Sequence, residues 1–381
     1  MHSAVKLTGA VALLALAGCG SLNPFSGSKP RNPPAALVEF KPSVTVRTAW
    51  TASVGKANTH LFSPATAGGN VFAAGADGTV VKLDAASGKQ LWRINAGEHL
   101  SAGVGTDGNT VAVAGDKGAV FAFDGDGKLR WKAQTSSEVL SAPAVTGDLV
   151  IVRSVDNRVA AYDVASGARR WFLQRTTPAL TLRSAPGIVT SSSAAYAAMP
   201  GGRLLAMTLN NGAPLWEVAV GDPRGATELE RVSDTSGNPL LMGREICAVA
   251  YQGRIACYDV AGGAVRWTKD WSSDVGLGAD ERAIFAVNSV GVVAAFSRDS
   301  GSSLWRNDKL GYRHLSAPIA FGRTVVVGDA QGFLHFLSRE DGAFVARTAT
   351  DGSAILATPI VAGDRVIFQT QAGELVALAT E

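Results

Sequence analysis

The sequence predicts an all-β chain, an eight-bladed β-propeller of four-stranded antiparallel blades, on three observations. A motif ending in Trp recurs at intervals of about forty residues, which is the length of one supersecondary unit. Short β-branched or alternating runs, separated by Gly and Asp turns, fill each interval with four strands. The eighth copy stops one strand short at the C-terminus, and a strand ahead of the first copy has no partner of its own.

The motif is clearest at Leu83-Asp84…Gly88…Trp92 and returns at Tyr162-Asp163…Gly167…Trp171 and Tyr258-Asp259…Gly263…Trp267. Looser copies end at Trp131, Trp216 and Trp305, and a seventh has Ala346 where the Trp belongs. Within a unit, Ala144–Val145, Leu149–Arg153, Val159–Tyr162 and Arg169–Trp171 read as successive strands. Asp77-Gly78 and Gln252-Gly253 fall between second and third strands, where Asp-Gly signals a two-residue hairpin. The motif itself is the corner from third strand to fourth. Asp84 bonds turn N–H groups, Gly88 supplies a positive φ, and Trp92 has the apolar area to cover the seam to a neighbouring blade. Such residues build the fold and carry no chemistry. In blade eight only Ile355–Val361, Arg365–Thr370 and Glu374–Ala379 remain, so Val44–Ala52, with Trp50, is expected to fill the vacancy and close the ring.

Residues 1–18 read as a signal peptide. Lys6 precedes an apolar run, Leu7–Ala17, far shorter than the ~20 residues that span a bilayer. The run ends in Leu16-Ala17-Gly18-Cys19, which resembles the bacterial lipobox and marks Cys19 as the lipidated first residue. Gly20, rather than Asp, resembles sorting to the outer membrane. Residues 19–43 contain five prolines among Ser, Gly and Asn, and read as a flexible tether; residues 44–381 form the propeller. Without its signal the chain still exceeds the ~250–300 residues of a usual single core, and a ring resolves this by sharing many small interfaces. A net charge of +3 with dispersed basic residues gives no footprint for nucleic acid.

Cys247 and Cys257 flank the Gln252-Gly253 turn. A two-residue turn sets Cys247 opposite Tyr258, sends the two sulfurs to opposite faces, and leaves two free, buried thiols. A one-residue bulge would instead place them face to face. Gly103–Gly108 matches G-x-G-x-x-G, but the strand-like Thr110–Ala114 follows where a phosphate-binding helix is required. Asp124-Gly125-Asp126-Gly127 lacks the Glu that would complete a calcium loop. The five histidines have no metal-ligand spacing. No catalytic residue, cofactor or metal is expected.

The Leu-Asp-x-x-x-Gly-x-x-x-Trp repeats resemble those of quinoprotein-dehydrogenase-like propellers. With their number and the lipoprotein start, the whole set resembles the BamB family, lipoproteins of the outer-membrane β-barrel assembly machinery. The resemblance implies a noncatalytic scaffold on the periplasmic side of the outer membrane, attached by lipid alone. Its implied partners are the periplasmic repeats of BamA, other assembly-complex lipoproteins and nascent outer-membrane β-barrels. A quinone-dependent dehydrogenase is the enzyme alternative, but its adjacent cysteines and acidic cluster are missing here. An envelope polysaccharide-binding or stress-related lipoprotein on the same fold is a third reading.

The loops favour the first. Trp-to-Trp steps near forty lengthen to 45 and 51 for two consecutive connections, which in up-and-down blades emerge on one face as a raised patch. The first contains Leu180, Leu182 and Arg183, and the second Glu228, Glu230, Arg231 and Asp234. Leu180–Arg183 resembles the Leu-Ser-Leu-Arg of the BamA-contacting loop. The family's Asp-x-Asp retains Asp234 but has Ser236 as its second member.

Overall fold

The structure, a computed structural model, describes residues 32–182, 186–222 and 225–381. Pro34–Glu381 makes up one compact unit. Its strands form eight four-stranded antiparallel sheets, seven of them built from strands consecutive in sequence. The eighth joins Ile360–Ala362, Arg365–Gln369 and Glu374–Thr380 to Val46–Ser53, which pairs from Val46↔Thr380 to Ser53↔Glu374. The ring is therefore closed by the N-terminal strand, as expected.

Second and third strands are apolar on both faces because each blade is covered by two neighbours. Every residue of Thr110–Ala114 is buried, for example, whereas the fourth strand Leu129–Gln134 alternates towards solvent. The cores accordingly lie in the seams: Phe72 and Val80 of blade one pack with Val111, Val113 and Phe121 of blade two. The Trp indoles lock these seams. Trp131 Nε1 donates to the Val164 carbonyl of the next blade at 2.9 Å, and Trp171, Trp216, Trp267 and Trp305 do the same to Leu209, Val260, Arg298 and Arg339. Each ring lies on the following corner's glycine. Gly167, at φ +71, would place a Cβ 2.6 Å from Trp131, so both its backbone angle and its missing side chain are required. One extra residue bulges the fourth strand just ahead of the Trp, as at Arg170 between Ala161↔Trp171 and Tyr162↔Arg169. The bulge twists the outermost strand and makes it a poor template for pairing.

Ala346 now has a reason. Blade eight has no corner between its third and fourth strands, because they are the two ends of the chain, so the seam from blade seven offers no glycine for an indole to cover. Residues 35–44 fill the place instead. Ala35 N–H bonds the Gly311 carbonyl at 2.8 Å, Phe40 stacks on Phe344 with centroids 5.5 Å apart, and Ser43 N–H bonds the Val345 carbonyl at 2.9 Å. The segment expected to be free tether up to residue 43 is thus a strap along blade seven from Ala35 onwards. Arg313 holds the Ala35 carbonyl at 2.9 Å and Arg347 the Val38 carbonyl at 3.2 Å.

The hairpins correct two expectations. Loops between second and third strands hold three residues rather than two: Gly75 and Thr79 flank Ala76–Gly78, and Gly78 N–H closes onto the Gly75 carbonyl with φ +91. In blade five the loop is Tyr251–Gly253, with Gln252 at φ +48. One added loop residue shifts the register by one and moves a side chain to the other face. Cys247 therefore opposes Cys257, and the two form a disulfide in the seam beside Trp267, not two free thiols.

Candidate functional site

The links from each fourth strand to the next blade's first strand converge on one end of the ring. Leu61, Leu140, Leu182 and Leu356, from four such links, line a central cavity of about 350 Å³. The two long connections belong to this face. The first runs from Arg169–Gln174 to Ile188–Thr190, the second from Pro214–Ala219 to Thr235–Met242.

In the first, Leu180 is 46% exposed while Leu182, two residues on, is half-buried and turned to the ring. Leu182 N–H donates to the Asp234 carboxylate, whose other oxygen accepts Gly201 N–H at 2.7 Å. Asp234 is 2% exposed, so the structure removes it from the contact surface and makes it the brace that ties the two long connections together. Ser236, at the position of the family's second acid, is also buried, with its hydroxyl donating to the Ser273 carbonyl at 2.9 Å.

The second connection winds into a single turn that caps itself. Thr227 Oγ1 accepts Glu230 N–H at 3.2 Å, while Glu230 accepts the N–H groups of Ala226 and Thr227 at 2.8 and 3.1 Å. Those backbone bonds, Thr227 first, hold the Glu230 carboxyl below its ordinary range. Glu228 and Arg231 are exposed and pair with each other at 3.3 Å, and Arg231 also donates to the Ala226 carbonyl. The turn raises Leu229 to 73% exposure, the highest of any large apolar side chain among the described residues. The sequence reading passed over Leu229, although its place in an acidic, self-capping turn was a signal that it points away from the body.

Of the predicted site residues, the structure brings Leu180, Leu182, Glu228, Arg231 and Asp234 to one face. Arg183 and Cys19 lie outside the described residues. Arg153 is a residue that sequence reasoning did not single out. It is the penultimate residue of the second strand of blade three, Leu149–Ser154, is 5% exposed, and burial pushes its guanidinium down to about 10 against the opposing pull of Asp234.

The motifs set aside in the sequence are absorbed by the fold. Gly105–Thr106 is a short strand paired with Val111–Ala112, and Asp124 accepts the N–H groups of Asp126 and Lys128 within its own corner. Among the described residues, no three His, Cys, Asp or Glu side chains gather as metal ligands.

Over residues 44–100, 76–307 and 289–381 the chain matches the family described as Outer membrane protein assembly factor BamB. It is 46% identical over 376 residues to the protein of that name in Bordetella pertussis, covering 98% of this chain and 96% of the relative. The crystal structure of BamB from Moraxella catarrhalis superposes with a TM-score of 0.81 at 26% identity, over 88% of this chain and 100% of that one. A quinohemoprotein alcohol dehydrogenase from Comamonas testosteroni aligns at a TM-score of 0.70 over 87% of this chain and 76% of its own, but at 11% identity it shares the fold alone. With its repeats, its closed ring of eight blades and this full-length identity, the chain belongs to the BamB family of outer membrane protein assembly factors.

Proposed function

We propose that this protein is a noncatalytic scaffold for outer-membrane β-barrel assembly, anchored through lipid on Cys19 and facing the periplasm. Its long connections dock on the periplasmic repeats of BamA and hold them in a productive arrangement, alongside other lipoproteins of the complex and nascent barrels. The observation that carries this reading is the pair of exposed leucines, Leu180 and Leu229, on consecutive connections, the first tied to Asp234 and the second capped within its own turn. Large apolar side chains presented on ordered loops mark a contact surface rather than a packing need. We assign Arg183 to the same contact from the family resemblance of Leu180–Arg183, for the donor fork that its side chain carries. The dehydrogenase alternative gains nothing from the cysteines, since Cys247 and Cys257 are joined across two strands inside a blade seam.

Leu180→Asp or Leu229→Asp is expected to weaken binding to purified BamA periplasmic repeats by about 30-fold or more, the loss typical of a central contact residue. Stability should stay within about 0.5 kcal/mol, because both side chains are solvent-facing. Unchanged affinity in both variants would exclude the ridge as the interface. Cys19→Ser is expected to release the protein from the outer-membrane fraction, since stable attachment takes several acyl chains and no other anchor is proposed. Full retention with the membrane would refute lipid anchoring at this residue.

A further inference from the structure

Beside the central cavity, and separated from it by Leu182, lies a second cavity of about 290 Å³. Its walls combine apolar Leu140, Val155, Pro186 and Pro200 with Thr181, Thr235 and Asp234, and Arg153 reaches it from the blade. The guanidinium is buried, yet its Nε meets no acceptor. The nearest anion that bears on it, Asp234, already spends both carboxylate oxygens on the N–H groups of Leu182 and Gly201. A guanidinium carries five donors and cannot shed its charge, so in apolar surroundings it calls for an acceptor with matching geometry.

We infer that this cavity is a receptor for a single carboxylate, an Asp or Glu side chain projecting from the partner that docks on the ridge, with Arg153 as the fork that receives it. The inference rests on the ridge reading above and adds to it the chemistry of the partner. Asp234 on the same wall balances the charge of Arg153 but leaves its Nε unmet, and it is this buried donor that calls for an acceptor, with the fork geometry favouring a carboxylate taken in by two parallel hydrogen bonds. Position selects a residue of the docked partner, because Thr181 and Leu182 of the first long connection form part of the cavity wall. Burial among Leu140, Val155, Pro186 and Pro200 strengthens an ion pair formed there relative to one on the rim.

The test uses the full chain and BamA periplasmic repeats, with affinities measured for Arg153→Met, Arg153→Lys and Leu229→Asp. Alongside these, each acidic residue of the repeats is neutralised in turn. Arg153→Met should weaken binding about tenfold or more, with Arg153→Lys between it and wild type, since Lys keeps the charge but not the fork. One Asp or Glu of the repeats should weaken binding to the wild-type chain and have no further effect on Arg153→Met, the signature of a coupled pair. If Arg153→Met binds as wild type while Leu229→Asp does not, the receptor is excluded and the ridge stands. If neither matters, and Leu180→Asp also binds as wild type, both fall. If Arg153→Met weakens binding but is additive with every partner acid, Arg153 only supports the loop and the receptor is excluded. Should Arg153→Met fail to fold, the neutralisation series still decides, because it leaves this chain unaltered: no sensitive acid means no receptor.

Discussion

Deleting Val44–Ala52 lowers the melting temperature by about 10 °C or more, or prevents folding outright, whereas deleting Ser21–Pro33 leaves it unchanged. The strand removed pairs along the whole of Glu374–Thr380 and brings Trp50, 7% exposed, into the seam between blades eight and one. There its Nε1 donates to the Ala85 carbonyl at 2.9 Å and its ring lies on Gly88. Loss of a buried Trp alone costs about 3–5 kcal/mol, and Leu375 and Ala377, now fully buried, become an unpaired apolar edge. Against a total stability on the order of 5–15 kcal/mol, that is a large fraction. Thermal melts of the two truncations decide it: equal midpoints would mean that the ring does not depend on this strand.

Asp329→Ala should cost on the order of 3–5 kcal/mol, the usual result of removing one member of a buried ionic set. Asp329 is fully buried in blade seven. It accepts Arg313 Nε and His335 Nε2, each at 2.7 Å, and the N–H groups of Gln331 and Phe333 at 2.9 Å. His335 in turn accepts Arg347 Nε at 3.2 Å through Nδ1, which fixes it as the neutral tautomer protonated on Nε2. Both arginines hold the strap, so the substitution should also expose residues 35–43 to protease, a readout separate from the melt.

The same cluster sets a pH dependence. Burial, helped by the charges of Arg347 and Arg313 and opposed by Asp329, holds the His335 pKa below 6.5. A histidine depressed in this way leaves the unfolded chain binding more protons, so its contribution is complete above pH 6.5 and lost as the pH falls below it. For Asp329, burial raises the pKa but the bonds from His335, Phe333 and Arg313 outweigh it, so a second loss begins only below about pH 3.8. Wild type should therefore melt lower at pH 5.5 than at 7.5, and His335→Gln should flatten that difference. A wild-type midpoint independent of pH across this window would contradict the assignment.

The fold was legible because a closed ring repeats its instructions: corner glycines announce seven blades, six of them with a seam tryptophan, and the missing fourth strand of the eighth copy announces the closing strand. The loop lengths were less legible. Asp77-Gly78 reads as a two-residue turn, yet Ala76 joins it, since an αL glycine can close either geometry. That single residue in blade five decided whether Cys247 meets Cys257. The strap escaped because Pro34–Ser43 has no apolar period; it is held by two arginines and a stacked phenylalanine more than 270 residues away. At the candidate site the exposed leucines were recoverable from loop length and composition. Asp234 was misread because an acid in a long loop looks the same whether it meets a partner or fastens the loop from within.

The closing strand also bears on the order of events during synthesis. Val46–Ser53 precedes the seven complete blades in the chain, and its partner, Glu374–Thr380, follows them. Until then an eight-residue strand carrying a tryptophan must wait unpaired while seven blades assemble behind it, a contact of very high sequence separation that slows the final step. Folding should show a late phase in which Trp50 fluorescence changes after the other seams have formed. During that interval the open ring presents two free edges, the stage at which a chaperone or a second incomplete molecule competes for them.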